Sequence, residues 1–302
     1  MSSTGLSTGA YSALIMAERL VGSRYQLRVE QDPDRQTDNY FAIYPDDLAY
    51  LDGGQTAEDG DLRGYIHSIE VGSTVDGPGL RFVLFLTGCA LRCQYCHNPD
   101  TWHLRNGQPY RVSEIMSEIN RYAEVLRISR GGLTISGGEP GLQPEFVRRV
   151  FRECRKLGVH TCIDTSGFKG AQFSDADLLD IDLHILDIKA GDAELHQQLT
   201  RQPLQPTLDF ARRLAELGRP LWVRFVLVPG LTDEVEQIDR VAEFCAGLGS
   251  LERVEILRFH QMGRDKWRQL GLNYRLTDVE PPSAELTERV RDQFRQRGLV
   301  VY

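Results

Sequence analysis

Apolar runs of five to eight residues recur from residue 80 onward, separated by stretches in which apolar positions return every three or four residues. The first pattern suits strands covered on both faces and the second suits amphipathic helices. The runs predict strands over Leu80–Leu86, Gly132–Ser136, His160–Asp164, His184–Ile188, Leu221–Val228 and Arg253–Phe259. Helices are predicted over Val112–Ile128, Pro144–Leu157, Leu208–Leu217, Glu234–Leu248 and Pro282–Arg297, with Leu299–Val301 extended at the end. Gly158, Gly218 and Gly249 follow three of these helices, as C-terminal caps do. Repeated strand–helix units imply a parallel α/β sheet, which right-handed crossovers curl into a barrel or part of one.

Residues 1–62 read differently. They carry Ser, Thr, Gly and Asp clusters and one short helix-like run, Ala13 to Leu20, and end in a Gly- and acid-rich stretch. We expect an N-terminal extension there, partly ordered or disordered, ahead of a domain at 63–302.

In an α/β barrel, ligand groups gather at the C-terminal ends of the strands. Polar motifs follow the apolar runs here: Ser136–Pro140, Asp164–Gly167, Asp187–Lys189 and Phe259–His260. Singly, each has an ordinary reading as a turn or a helix cap. Together they point to one shared site. Gly137 and Gly138 let backbone approach a ligand closely, with Glu139 beside them to receive an ammonium group. Asp164 and Asp187 end two strands and, with the Thr165 hydroxyl, could bind a cation through oxygen. Lys189 lies on the same face as Asp187 and could neutralise a carboxylate. Arg224 is a charge inside an apolar strand and is expected to face the ligand cavity.

Composition narrows the partners. The net charge of −8 argues against nucleic acid. No apolar run reaches the length of a membrane helix, and the N-terminus lacks the basic-then-apolar pattern of an export signal. The six cysteines are therefore expected to be thiols of a cytoplasmic protein. Cys154, Cys162 and Cys245 fall in apolar patterns and read as core residues.

Cys89, Cys93 and Cys96 are different. They form a CxxxCxxC triplet, one ligand short of a closed zinc or iron–sulfur site. Three thiolates on one loop would hold three irons of a 4Fe–4S cluster and leave the fourth open. Two non-catalytic readings stand beside this: a zinc knuckle with His97 as fourth ligand, and a fully ligated cluster completed by a distant cysteine.

The triplet, with Tyr95 before its last cysteine, resembles the signature of the radical S-adenosylmethionine (SAM) superfamily. Longer segments sharpen the likeness: Arg63–Phe82, His97–Trp102, Val228–Asp233 and Phe259–Trp267. Over about residues 63–302 the chain resembles the pyruvate formate-lyase activating enzymes, which are glycyl-radical-enzyme activases.

That resemblance implies a partial TIM-like (β/α)6 barrel and a reaction in which SAM, cleaved at a 4Fe–4S cluster, yields a radical that takes hydrogen from a glycine of a partner enzyme. It places the cluster on Cys89, Cys93 and Cys96. It puts SAM against Tyr95, Cys96, His97, Gly138, Glu139, Asp187, Ile188, Lys189 and His260. It puts a monovalent cation at Asp164, Thr165 and Asp187, and the partner peptide at Asp76 and Gly77. Position 185 is Ile where relatives offer a Met carbonyl to the cation. The implied electron donor is a flavodoxin or ferredoxin. Activation of another glycyl radical enzyme, or radical chemistry on a small molecule, shares the first half of this machinery and remains open at this point.

Overall fold

The computed structural model describes residues 60–302. The helix-like run at 13–20 and nearly all of the expected extension lie outside the described residues. Eight strands form one sheet in the order β3-β1-β2-β4-β5-β6-β7-β8. They are β1 (Arg63–Ser73), β2 (Arg81–Leu86), β3 (Gln108–Arg111), β4 (Gly132–Gly137), β5 (His160–Thr165), β6 (Leu183–Asp187), β7 (Leu221–Leu227) and β8 (Leu251–Arg258).

The six predicted strands are the six parallel ones, β2 and β4 to β8. They form the partial (β/α)6 barrel that the repeated units imply. Its inner strands are buried on both faces: every residue of β2 except Phe85 is buried, as is all of β4 up to Ser136, whereas the edge strand β8 leaves Glu252, Leu257 and Arg258 exposed. The sheet does not close on itself, because β3 and β8 are its edges.

The helices are α1 (Val112–Ile128), α2 (Pro144–Lys156), α3 (Asp175–Leu179), α4 (Ala193–Thr200), α5 (Gln205–Glu216), α6 (Val235–Ala246), α7 (Arg264–Gln269) and α8 (Ala284–Arg295). Five match the predicted helices within a few residues. Helix α5 begins earlier than Leu208 because Pro206 sits in its first turn, where a missing N–H costs nothing. Gly158 and Gly218 have positive φ, as left-handed C-terminal caps require. The third expected cap is corrected: α6 ends at Gly247 in a right-handed conformation, and Gly249 is not its cap.

Two strands are additions to the predicted set. In β1 the pairing register shifts twice, between Ile66 and Ser68 and between Val71 and Ser73, so no clean two-residue alternation survives. Strand β3 has only four residues and includes Pro109. Both run antiparallel and extend the sheet beyond β2. The final residues add a short parallel bridge, Val301 to Val254.

Cys154, Cys162 and Cys245 are fully buried core residues, as read from the sequence. Among the described residues, no helix is long and apolar enough to cross a membrane.

Candidate active site

The loop after β2 carries the cysteine triplet, and backbone hydrogen bonds hold it from two sides. Cys89 donates to Trp102 O at 2.9 Å, and Gly88 to Thr101 O at 2.7 Å. From the next strand, Glu139 N–H donates to Gly88 O at 2.7 Å. A Cβ on Gly138 would stand 2.2 Å from that same oxygen, so only glycine lets the Ser136–Pro140 turn lie against the cluster loop.

Side chains fix the loop further. The Arg92 guanidinium donates to the carbonyls of Cys89 at 2.5 Å and Leu91 at 2.9 Å. It also lies 5.1 Å from the centre of the Trp102 ring. Gln202 donates to Ala90 O at 2.8 Å. The segment before and within α7 closes the other side. Trp267 Nε1–H donates to Cys96 O at 2.7 Å, and Lys266 Nζ to Asn98 Oδ1 at 2.8 Å and Asp100 Oδ2 at 3.0 Å. His67 of β1 meets the same Asp100 carboxylate at 2.7 Å. Gly263 packs so closely on the backbone of Cys96 and His97 that a Cβ there would stand 2.8 Å from His97 Cα.

This framework of Arg92, Asp100, His67, Lys266 and Trp267 has no place among the expected site residues. Its members are scattered in sequence. Only the polar residues of the segments 97–102 and 259–267 hinted at it.

All three thiols of the triplet are raised by burial. Cys96 is pushed up to about 12, while Cys89 and Cys93 also rise, each with the neighbouring cysteine or acid adding to the effect. Cys93 is buried; Cys89 and Cys96 keep some accessible surface inside the mouth of the barrel. Among the described residues, no three Cys, His, Asp or Glu side chains converge tightly enough to ligate a single ion. Cluster corners are spaced more widely than the ligands of one ion. His97 stacks on His260, with ring centres 4.1 Å apart and planes 23° apart.

The strand-end groups meet beside this loop. Lys189 is buried, donates to Asp187 Oδ2 at 3.0 Å, and stands 5.8 Å from the Tyr95 ring centre. Burial opposes its charge, but Asp187, Cys93 and Tyr95 outweigh it and hold the ammonium well above its ordinary range. Among the described residues, two buried polar atoms here, Tyr95 Oη and His260 Nδ1, have no hydrogen-bond partner. Such orphans ask for a ligand or water. Ile188 is buried in the main core and its N–H already donates to Arg224 O at 3.0 Å, so its side chain is packing rather than lining.

Two of the expected site residues are engaged by protein partners. Glu139 is almost fully buried and its carboxylate takes four donors. Thr165 Oγ1 donates at 2.6 Å and Gly141 N at 3.1 Å to one oxygen; Ser166 N, at 3.1 Å, and the Ser166 hydroxyl donate to the other. A carboxylate has about four acceptor positions. The side chain is therefore a clamp between β4 and β5, and its backbone carbonyl already accepts from Leu142 N–H at 2.9 Å, with one lone pair remaining. Arg224, expected to face the ligand cavity, is held by protein partners that include the strand-end group Asp164. It bonds Glu255 at 2.8 Å, Asp164 at 3.2 Å and the Val75 carbonyl at 2.5 Å. Asp164 and Glu255 together outweigh burial and keep it charged.

Asp164 and Asp187 end the adjacent strands β5 and β6. Asp164 also accepts from Ser136 Oγ at 2.9 Å. Its carboxyl is pushed up to about 6, chiefly by burial, with Asp187 adding to the rise and Arg224 opposing it. Thr165 Oγ1, already donating to Glu139, accepts from Gly167 N at 2.9 Å. The loop holding Asp76 and Gly77 is tied down by Arg224 on Val75, by Thr134 Oγ1 on Asp76 O at 2.6 Å, and by Ser73 Oγ on Asp76 Oδ2 at 2.5 Å. Gly77 and Gly79 both have positive φ, and a Cβ on Gly79 would stand 2.5 Å from the backbone of 129–131. Val75, at the tip, is 74% exposed.

The Radical SAM superfamily model matches residues 83–244. A pyruvate formate-lyase 1-activating enzyme of Escherichia coli K12 is 44% identical over 237 residues, covering 78% of this chain and 96% of that protein. The chain belongs to the radical SAM superfamily, among the pyruvate formate-lyase-activating enzymes. The corresponding Staphylococcus aureus USA300 enzyme is 46% identical, covering 74% of this chain and 92% of its own length. A radical SAM methyltransferase structure from Sphaerobacter thermophilus aligns with 97% of this chain and 88% of its own at 17% identity and a TM-score of 0.56, a likeness of fold alone. Within this family the three-cysteine count stops being a shortfall.

Proposed function

We infer that this chain activates pyruvate formate-lyase by installing a glycyl radical on it. The observation that carries the reading is the convergence of the cysteine triplet with Lys189, Asp187 and the unpartnered Tyr95 Oη and His260 Nδ1 at one end of the barrel. Residues 63–302 are the catalytic unit in this reading. Cys89, Cys93 and Cys96 would hold a 4Fe–4S cluster, which would supply one electron for the reductive cleavage of SAM and so the means to take hydrogen from a glycine Cα of the partner.

The remaining steps belong to this chain's own residues. The Gly138 and Glu139 backbone receives the methionine ammonium, and Lys189 neutralises the carboxylate. Tyr95 and the stacked His97 and His260 border the adenosine. Asp164, Asp187 and Thr165 bind a monovalent cation, which relieves the repulsion between two carboxylates on neighbouring strands. The 75–79 loop meets the partner's glycine segment. The electron donor is a flavodoxin or ferredoxin. Buried thiols that must stay reduced suit a cytoplasmic protein.

The test is anaerobic reconstitution with iron and sulfide, then chemical reduction with SAM and purified pyruvate formate-lyase. A stoichiometric glycyl radical, seen by electron paramagnetic resonance, is expected. Zinc at one per chain with no SAM cleavage would overturn the enzyme reading. SAM cleavage without a radical on pyruvate formate-lyase would overturn the choice of partner.

A further inference from the structure

The segment from His260 to Trp267 lies against the residues that follow the last cysteine of the triplet, and hydrogen bonds from side chains fasten the two together. Among the described residues, no backbone–backbone hydrogen bond joins 96–100 to 260–267. We propose that Lys266 and Asp100 are positioning residues for SAM: their ion pair fixes the register of the two segments and so aligns the His97–His260 stack for the adenosine. The proposal rests on the activase reading, in which that stack borders SAM.

Three observations support the assignment. The first is where Lys266 directs its donors. Its Nζ donates to Asn98 Oδ1 at 2.8 Å and to the two oxygens of Asp100 at 3.2 and 3.0 Å. All three acceptors belong to the turn that starts one residue after His97. An ammonium has three donors, so the whole donor capacity of Lys266 is directed at this turn.

The second is the firmness of the receiving group. The Asp100 side chain is 7% exposed. Burial would raise its carboxyl, but His67 and Lys266 outweigh it and hold the group below the ordinary carboxylate range. His67, on β1, meets Oδ2 at 2.7 Å, and Asn106 Nδ2 donates to the Asp100 carbonyl at 2.9 Å. The carboxylate is therefore anchored to the sheet on one side and presented to Lys266 on the other.

The third is the stack itself. Each segment contributes one ring, with centres 4.1 Å apart, so a slide of one segment along the other would part them. His260 Nδ1 is buried with no hydrogen-bond partner among the described residues. No bond to that nitrogen aims the ring; the backbone that carries it and the stack on His97 do. Holding the backbone in register is the part that falls to Lys266.

The test measures SAM binding by calorimetry on the full-length enzyme with its cluster reconstituted and oxidised, so that no turnover occurs. Lys266→Met keeps the stem and removes the charge. Its affinity for SAM is expected to fall about tenfold, the scale on which a supporting partner acts through the group it orients. Iron per chain should match the unaltered enzyme. Lys266→Arg, whose guanidinium can meet both oxygens of Asp100, should restore the affinity to within about threefold. His260→Ala should weaken SAM on its own. Adding Lys266→Met to it should weaken SAM less than about twofold further, because the stack through which Lys266 acts is already gone. Unchanged affinity in Lys266→Met overturns the proposal. So do additive losses in the double variant, or a parallel loss of iron, which would make Lys266 a support of the cluster loop alone. If the unaltered enzyme binds no SAM, the activase reading falls and the proposal with it. If it binds SAM but places no radical on pyruvate formate-lyase, the choice of partner falls, while the binding measurements still decide the role of Lys266.

Discussion

The indole N–H of Trp267 donates to the carbonyl of Cys96 at 2.7 Å, joining residues 171 positions apart. The bond ties the cluster loop, at the start of the barrel, to the helix that follows its last parallel strand. Trp267→Phe keeps most of the packing and removes one hydrogen bond, worth about 1 kcal/mol. Cluster loss on exposure to a chelator should accelerate about fivefold, followed by the fading of cluster absorbance. An unchanged rate would mean that the bond does not hold the loop.

Glu139→Gln separates a clamp from a ligand. The buried carboxylate takes donors from Thr165, Ser166 and Gly141. An amide presents its own N–H groups to some of these donors, so the cluster-free protein should lose about 1–3 kcal/mol in urea unfolding. Weakened SAM binding with full stability would restore the side chain to the ammonium site.

Asp164 gives a pH signature. Its carboxyl is pushed up to about 6 by burial, against an unfolded value near 3.9. Between those values the folded protein holds a proton that the unfolded chain has released. This group therefore favours the fold at low pH, and its cost grows as pH rises, becoming complete above about 6. The stability of Asp164→Asn relative to the unaltered protein, both cluster-free, should rise between pH 4 and pH 7. A difference independent of pH would contradict the shift. Potassium should narrow the gap if a cation binds between Asp164 and Asp187.

The six cysteines should divide cleanly. Replacing Cys89, Cys93 or Cys96 with Ala should abolish cluster loading, measured as bound iron and sulfide. Replacing the buried Cys154, Cys162 or Cys245 should leave loading intact and cost about 1–2 kcal/mol of stability. Burial raises the three triplet thiols, so thiolate is scarce at neutral pH. Loading should release protons and run faster as pH rises. A pH-independent rate would argue against that.

The parallel part of the sheet was legible because its inner strands are buried on both faces and read as largely apolar runs. The site was legible where polar residues interrupt those runs at their ends. Strand β1 was hidden because its bulges break the alternation, and β3 because it is short and holds a proline. The protein partners of Glu139 and Arg224 were not legible for a common reason. A charge at a strand end looks the same in sequence whether it meets a ligand or a neighbouring strand, and only Thr165, Ser166 and Val75 decide between them. The meeting of His67, Asp100 and Lys266 joins segments up to 199 positions apart (67 to 266), which no local pattern encodes.

An incomplete barrel has two free edges, and each invites pairing with another chain. Among the described residues both are blunted. Strand β3 is four residues long and carries Pro109, which offers no donor to a newcomer. Along β8, Val254 N–H donates to Val300 O and Ile256 N–H to Tyr302 O, so residues 300–302 occupy the middle of that edge. Among the described residues, the open barrel is thereby left with little unpaired edge backbone for a strand of another copy.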